Sequence, residues 1–509
     1  MQQEIIAFLS SPRAHGGHAV ERVETHASIV FLAGGTAYKL KRAVRYDYLD
    51  FSTPERRKAM CDAELALNRR TAPAIYDRVV AVTREPSGAL AIDGSGTSVD
   101  WLIVMRRFDQ DQLLDRLASR HELPLDLMPR LGESVARMHA DAGPCRGKGG
   151  AAGMAWVIDG NARDFPSHPW LDARLCEAVT ARSRAALEAR AGLLDDRQAR
   201  GLVRRCHGDL HLRNIVLQDG VPTPFDAVEF NEDISCIDVF YDLAFLLMDL
   251  WRRSLTAHAN AVLNAYAGET GDVDGLALLP LFLSCRAAVR AKTGAAASAL
   301  ESDTSRRGEL EQAAAGYLRL AMRLLDPPAP RVIAVGGVSG SGKSSLARTL
   351  APELGAAPGA LVLRSDEVRK RQAGVAPLAR LRPDAYTAEA AAHVYASIAD
   401  LTARAVAAGH TVVADAVFAR PGERDVIQCA ASRAGVPFVG IWLDALPDVC
   451  ARRVAGRRGD ASDAGPAVVH AQAARDVGPL TWTRVDASRD VDETLAAARR
   501  ALQEAISPS

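Results

Sequence analysis

Lysine is scarce in this chain. Of 62 basic residues only seven are lysines, at positions 39, 41, 58, 148, 292, 343 and 370. Arginine serves wherever any cation will do, so each lysine marks a place that favours a compact ammonium. Also missing is any C-x-x-C pair among the eight cysteines, at 61, 145, 176, 206, 236, 285, 429 and 450. That speaks against a cysteine-ligated zinc site and against a disulfide framework, and for reduced thiols in a cytoplasm. Neither charge sign is in excess, with 62 acidic residues against the 62 basic ones. No overall field therefore draws the chain to nucleic acid or to a membrane surface. No apolar run reaches the roughly 18 residues of a membrane span. The short run at 5–9 follows Glu4 and does not read as a secretory signal. The expected location is cytoplasmic, with no membrane partner.

What is present is a chain of 509 residues with 48% hydrophobic and 24% charged residues, too long for one core. Its most chemical stretch is His207-Gly208-Asp209-Leu210-His211-Leu212-Arg213-Asn214, followed by the apolar Ile215-Val216-Leu217. An acid and an amide five residues apart, in a polar loop feeding a strand, suit a kinase-type catalytic loop. There the acid orients the attacking hydroxyl and the amide holds a metal. The plain alternative is a turn whose Asp caps its own backbone. A second acid, Asp226, ends the next short strand in Pro224-Phe225-Asp226-Ala227-Val228-Glu229-Phe230. Two acids and one amide on one hairpin offer hard oxygens to magnesium.

Upstream, residues 23–32 read as a strand. Gly34-Gly35 is a hairpin turn, and Thr36-Ala37-Tyr38-Lys39-Leu40-Lys41 returns from it. Alternation puts Lys39 and Lys41 on one face. A helix begins at Ser52-Thr53-Pro54-Glu55 and runs to about Arg70. Glu64 shares its apolar face with Met60 and Leu67, and an inward carboxylate needs a partner such as a strand lysine. Residues 101–105 form a strand leading to a hinge. No G-x-G-x-x-G precedes the first hairpin; Glu24-Thr25-His26 stand in its place. Residues 127–139 are helical by period, and 141–169 read as loop.

These residues resemble the aminoglycoside-phosphotransferase/choline-kinase family over roughly 20–325. The resemblance implies Asp209 as catalytic base and Asn214 and Asp226 as magnesium ligands. It implies Lys39 or Lys41 on the ATP phosphates, Glu64 orienting that lysine, and Asp242 and His207 in structural roles. Helices from about 255 to 325 would line the acceptor. Arg286, Arg290 and Lys292 there are either a solvated face or a site for an anionic group.

Pro327-Pro328-Ala329-Pro330 is a stiff linker. Beyond it, a strand at 332–335 runs into Gly337-Val338-Ser339-Gly340-Ser341-Gly342-Lys343-Ser344, then Ser345. This is a complete P-loop (Walker A) in its strand–loop–helix context. Its backbone N–H groups curl round phosphate, Lys343 reaches the β/γ-phosphates and Ser344 binds magnesium. Asp366, just past a second strand, is placed to deprotonate an acceptor or to cap a helix; Arg369 would clamp acceptor or phosphate. Asp415, ending a buried strand at 411–415, is the expected partner of the magnesium. Arg452, Arg453, Arg457 and Arg458 form a lid over the γ-phosphate or a solvated face. This half resembles small P-loop kinases of the gluconate-kinase, polynucleotide-kinase and zeta-toxin type. The whole chain resembles bacterial proteins joining a phosphotransferase-like domain to an AAA-type predicted kinase.

The expected architecture is an α+β, protein-kinase-like, two-lobed domain over 1–326 (lobes about 20–108 and 109–326), a linker at 327–331, and an α/β P-loop domain with a parallel sheet over 332–509. The expected activity is a bifunctional ATP- and Mg2+-dependent kinase acting on hydroxyls of small molecules. The alternative gives chemistry to the P-loop domain alone, on a small molecule, nucleotide sugar or polynucleotide 5′-hydroxyl, with the first domain a regulatory pseudokinase or ligand-binding module. The missing glycine-rich loop favours that alternative, while the balanced charge disfavours a nucleic-acid acceptor.

Overall fold

The structure, a computed structural model, describes residues 2–25, 27–46, 49–376, 378–457 and 459–505. It divides into two compact units: Met1–Gly160 with Leu187–Asp249, and Asn161–Ala186 with Leu250–Ser509.

The first unit is built on a six-stranded antiparallel sheet. Its order is Val20–Glu24, Ser28–Ala33, Thr36–Lys41, Thr97–Arg106, Tyr76–Arg84 and Leu90–Ile92. The single strand expected over 23–32 is thus two strands of a hairpin. Thr25 makes the turn: its hydroxyl accepts from Ser28 N at 2.9 Å, and its own N–H donates to the Ser28 carbonyl at 2.8 Å. His26 lies outside the described residues. The sheet has apolar side chains on both faces because a helix covers each. Gln2–Leu9 brings Ile5, Ile6 and Leu9 against Phe31, Leu40 and Leu102. Pro54–Asn68 brings Cys61 to the other face, with Tyr76, Ile103 and Val216. That helix starts as its sequence suggests, with Thr53 capping Arg56 N at 3.3 Å and Pro54 in the first turn.

Two sequence expectations fail in this part of the chain. Residues 150–164, read as loop, form the helix Gly150–Asp164. Its glycines suggested turns, but Met154 and Ile158 recur at helical spacing and are buried. Cys145 and Cys236 are joined in a disulfide with Cα atoms 5.8 Å apart, so not all eight cysteines are thiols. They lie 91 residues apart in sequence. Strand Val203–Arg205 brings them together: it pairs with Cys236–Asp238 on one side and bridges Pro144 on the other.

In the second unit five parallel strands lie in the order Leu361–Arg364, Val412–Asp415, Val332–Gly336, Phe438–Asp444, Thr483–Asp486. Such a sheet needs cover on both faces, which explains its near-continuous apolar strands. Its edge strand Leu361–Arg364 is capped by the helix Thr256–Thr270. Asn260 and Asn264 donate to the Ala360 carbonyl at 3.0 and 3.2 Å, and Asn264 Oδ1 accepts from Val362 N at 2.7 Å. The two side chains stand in for a missing strand. On the helix Leu279–Leu300, Arg286 is buried, Arg290 lies over the Tyr317 ring, and Lys292 pairs with Asp164 at 3.3 Å, which is not a solvated face. Among the described residues no helix is long and apolar enough to cross a membrane.

Candidate active sites

In the first unit, register decides what meets. Thr36–Lys41 lies between its two neighbours in the sheet with Lys39 and Lys41 facing the Pro54–Asn68 helix. Glu64 is fully buried between the two lysines: Oε1 is 2.7 Å from Lys39 Nζ, and Oε2 is 2.6 Å from Lys41 Nζ. Each lysine has a second acid. Lys39 reaches Asp226 at 2.5 Å, and Lys41 reaches Glu229. The two ammonium groups hold the Glu64 carboxyl well below its usual range against the cost of burial. Sequence reading named Glu229 only as part of a string; its role needs the fold.

The hairpin Ile215–Gln218 with Val221–Pro224 is flanked by the candidate residues Asp209 and Asn214 on one side and Asp226 on the other. Asn214 Nδ2 donates to Asp209 Oδ2 at 2.9 Å and to the Asp209 carbonyl at 3.0 Å, leaving Oδ1 as the amide's ligand atom. His211 Nε2 lies 3.3 Å from the same Asp209 carboxyl. Asp226 holds a left-handed backbone, φ 62°, and its N–H donates to the Tyr76 hydroxyl at 3.2 Å. An acid held in that strained conformation marks a place where its direction matters. The loop is anchored from below. Asp242 accepts from His207 N at 3.1 Å and Gly208 N at 2.8 Å, and His207 Nε2 bonds the Phe225 carbonyl at 2.8 Å. Burial holds the His207 ring below its usual pKa, as a structural imidazole requires. Where a glycine-rich loop would lie, the described residues of the first hairpin turn, Glu24 and Thr25, include no glycine.

In the second unit the loop 337–342 joins strand Val332–Gly336 to helix Lys343–Leu350. Gly337 has φ 137°, and a Cβ there would meet the Leu443 carbonyl at 2.7 Å, so only glycine fits. Val338 O accepts from Lys343 Nζ at 3.0 Å, and Ser339 N donates to Gln472 at 2.8 Å. Gly340, Ser341 and Gly342 complete the turn, and Ser341 is buried. Ser344 Oγ donates to Asp415 Oδ2 at 2.5 Å. Ser345 follows in the helix. Burial holds the Lys343 ammonium below the usual lysine range, against the pull of Asp415 and Asp366.

Asp366 and Arg369 sit on the helix Ser365–Gln372. Burial, and then the neighbouring Asp415 carboxylate, push Asp366 above the usual carboxyl range, which suits a group that must take a proton. Arg369 stacks over the Tyr386 ring, 5.1 Å from its centroid, and donates to the Ala385 carbonyl at 2.6 Å. Arg364 was missed from sequence. It is buried, and its guanidinium reaches Asp415 at 3.3 Å, Glu367 at 2.8 Å and Asp460 at 3.1 Å. Only its place at the end of a strand could have flagged it.

The arginines expected as a lid or a solvated face differ in their contacts. Arg453 turns away to the carbonyls of Ala487 and Arg489, at 2.8 and 3.3 Å. Arg457 instead lies 3.6 Å from Asp460 and acts electrostatically on Lys343. The helix stops at Ala455, so Arg457 falls out of phase with Arg453. Arg458 lies outside the described residues. The donors gathered at both sites, carboxylates, an amide oxygen and a hydroxyl, are those of a hard divalent cation.

Two family models match the chain one after the other. Residues 49–279 match the phosphotransferase enzyme family, and residues 332–479 match an AAA domain. An uncharacterized protein of Mycobacterium tuberculosis (strain H37Rv) is 29% identical over 495 residues, 95% of each chain. Among solved structures, a choline/ethanolamine kinase family protein from Mesorhizobium loti is 16% identical over 64% of this chain and 95% of its own, with TM-score 0.39. A gluconokinase from Sinorhizobium meliloti 1021 is 25% identical over 34% of this chain and 95% of its own, with TM-score 0.24. In chain order, a segment that matches the phosphotransferase enzyme family precedes one that matches an AAA domain.

Proposed function

We propose that the chain is a bifunctional ATP-dependent phosphotransferase whose two sites each pass the γ-phosphate of ATP to a hydroxyl of a small molecule. What supports this is a pairing common to both sites: a nearly buried lysine beside hard-oxygen donors, with a further carboxylate, Asp209 or Asp366, in an adjoining segment. In the first unit Lys39 holds phosphate oxygens and Glu64 keeps it in line. Asp209, steadied by Asn214 and His211, takes the acceptor proton on its carboxylate. In the second, the P-loop amides and Lys343 cradle the phosphates, Arg457 approaches from the lid side, and Asp366 takes the proton while Arg369 fixes the acceptor.

Asn214 with Asp226, and Ser344 with Asp415, would hold magnesium. Bound there, magnesium neutralises charge on the phosphate tail.

The test uses the full chain, labelled ATP and a metabolite extract, comparing wild type with Asp209→Asn and Lys343→Ala. Each variant is expected to lose a different set of labelled products. If Asp209→Asn loses none, the first unit binds without catalysing and only the P-loop site is a kinase.

A further inference from the structure

We propose that Lys41 and Glu229 form a fixed clamp on Glu64, so that Lys39 alone exchanges its partner, leaving Asp226 for nucleotide phosphate. This rests on the kinase reading of the first site. The two lysines look equivalent in sequence but sit in different surroundings. Lys41 is 1% exposed, and both of its acids are buried, Glu64 at 0% and Glu229 at 6%. Lys39 is 12% exposed, and its second acid, Asp226, is 44% exposed.

Withdrawing Lys41 would strand the buried Glu229 and leave Glu64 with Lys39 alone, which is far costlier than losing an exposed pair. Withdrawing Lys39 from Asp226 strands nothing, because Asp226 is already in reach of solvent. The charges agree. Lys39 and Lys41 balance Glu64 and Glu229, so the charge on Asp226 is surplus to the buried set and available to a cation. A phosphate oxygen arriving at Lys39 can therefore replace Asp226 while the buried set stays neutral.

The helix that carries Glu64 is secured at both ends as well. Arg57 binds Asp100 through two buried hydrogen bonds at 2.7 and 2.9 Å. Asn68 Oδ1 accepts from Ala227 N, next to Asp226, at 2.8 Å. In kinases where the equivalent helix moves, the lysine–glutamate pair is the point of control. Here the second lysine removes that freedom. Lys41 and Glu229 are positioning residues, and the site is held assembled.

The experiment reads binding of a fluorescent ATP analogue to the full chain carrying Lys343→Ala, so that the signal comes from the first unit. Adding Lys39→Met should abolish binding. Adding Glu229→Gln, which keeps the shape and removes one charge, should draw Asp226 onto Lys39. The magnesium concentration giving half-maximal binding then rises about tenfold, while affinity at saturating magnesium changes little. Replacing the buried pair as a unit, Lys41→Met with Glu229→Leu, should preserve the melting temperature and still weaken nucleotide binding by about tenfold. If Lys39→Met binds as well as its parent, the kinase reading of this site fails and the clamp with it. If Lys39→Met loses binding but Glu229→Gln and the double variant match the parent, the clamp alone is overturned.

Discussion

Arg57 and Asp100 show how single side chains hold the first site in place. Both are buried, and the guanidinium meets the carboxylate through two parallel bonds. Arg57→Ala leaves an unpaired carboxylate in the interior and should cost roughly 3–5 kcal/mol. Denaturant unfolding read by a probe in the first unit checks this, and Arg57→Met with Asp100→Leu should recover most of the loss. In the second unit the equivalent test falls on Ser344, whose hydroxyl lies 2.5 Å from Asp415. In a Lys39→Met background, Ser344→Ala should weaken magnesium-dependent nucleotide binding by about tenfold. Calorimetry giving an unchanged affinity would take Ser344 out of the metal site.

At the scale of elements, the contact between helix Thr256–Thr270 and the edge strand Leu361–Arg364 has the widest consequences. That strand delivers Arg364 and, one turn on, Asp366 and Arg369. Replacing Asn260 and Asn264 together by Leu leaves the Ala360 carbonyl and the Val362 N–H unpaired, at about 1–3 kcal/mol each. Faster hydrogen exchange at 360–364 is the expected readout. The same corner holds His410, whose Nε2 bonds the Gly359 carbonyl at 2.8 Å and whose pKa burial lowers to about 4. Its folded pKa lies below the unfolded value, so the unfolded chain binds the extra proton as pH falls. The stability His410 supports is complete above pH ~6.5 and is lost progressively toward pH ~4, by roughly 3 kcal/mol. A His410→Gln variant should show a flatter decline over that window, and parallel curves would sink the assignment.

For the whole molecule, the compact units do not simply follow the chain. Residues 250–326 belong with the P-loop portion, although the phosphotransferase family match runs to residue 279. A fragment starting at the proline-rich segment would expose the edge strand that Asn260 and Asn264 cover, and a bare edge invites pairing between molecules. Expressed alone, residues 327–509 should be less soluble and melt lower than the same residues in the full chain, by sedimentation and calorimetry. A fragment that stays monomeric with an unchanged transition would show that the helix is dispensable.

Much of the candidate sites was legible in the sequence because their signals are local. The P-loop, His207-Gly208-Asp209 with Asn214, and Asp226 each need residue types at short, fixed spacings, and the structure places them at strand–loop junctions as that spacing requires. Strand alternation likewise put Lys39 and Lys41 on one face, and helical period turned Glu64 inward. What sequence could not settle depends on distant segments. The partners of the two lysines, Asp226 and Glu229, lie 187 and 188 residues away, and only packing makes one of those acids exposed and the other buried. Cys145 and Cys236, Arg364 with Asp460, and Asn264 against Val362 are also long-range pairs with no local mark. Local spacing determined which groups could do chemistry. The tertiary structure decided which of them are buried, paired or able to exchange, because burial and charge balance are properties of neighbours in space.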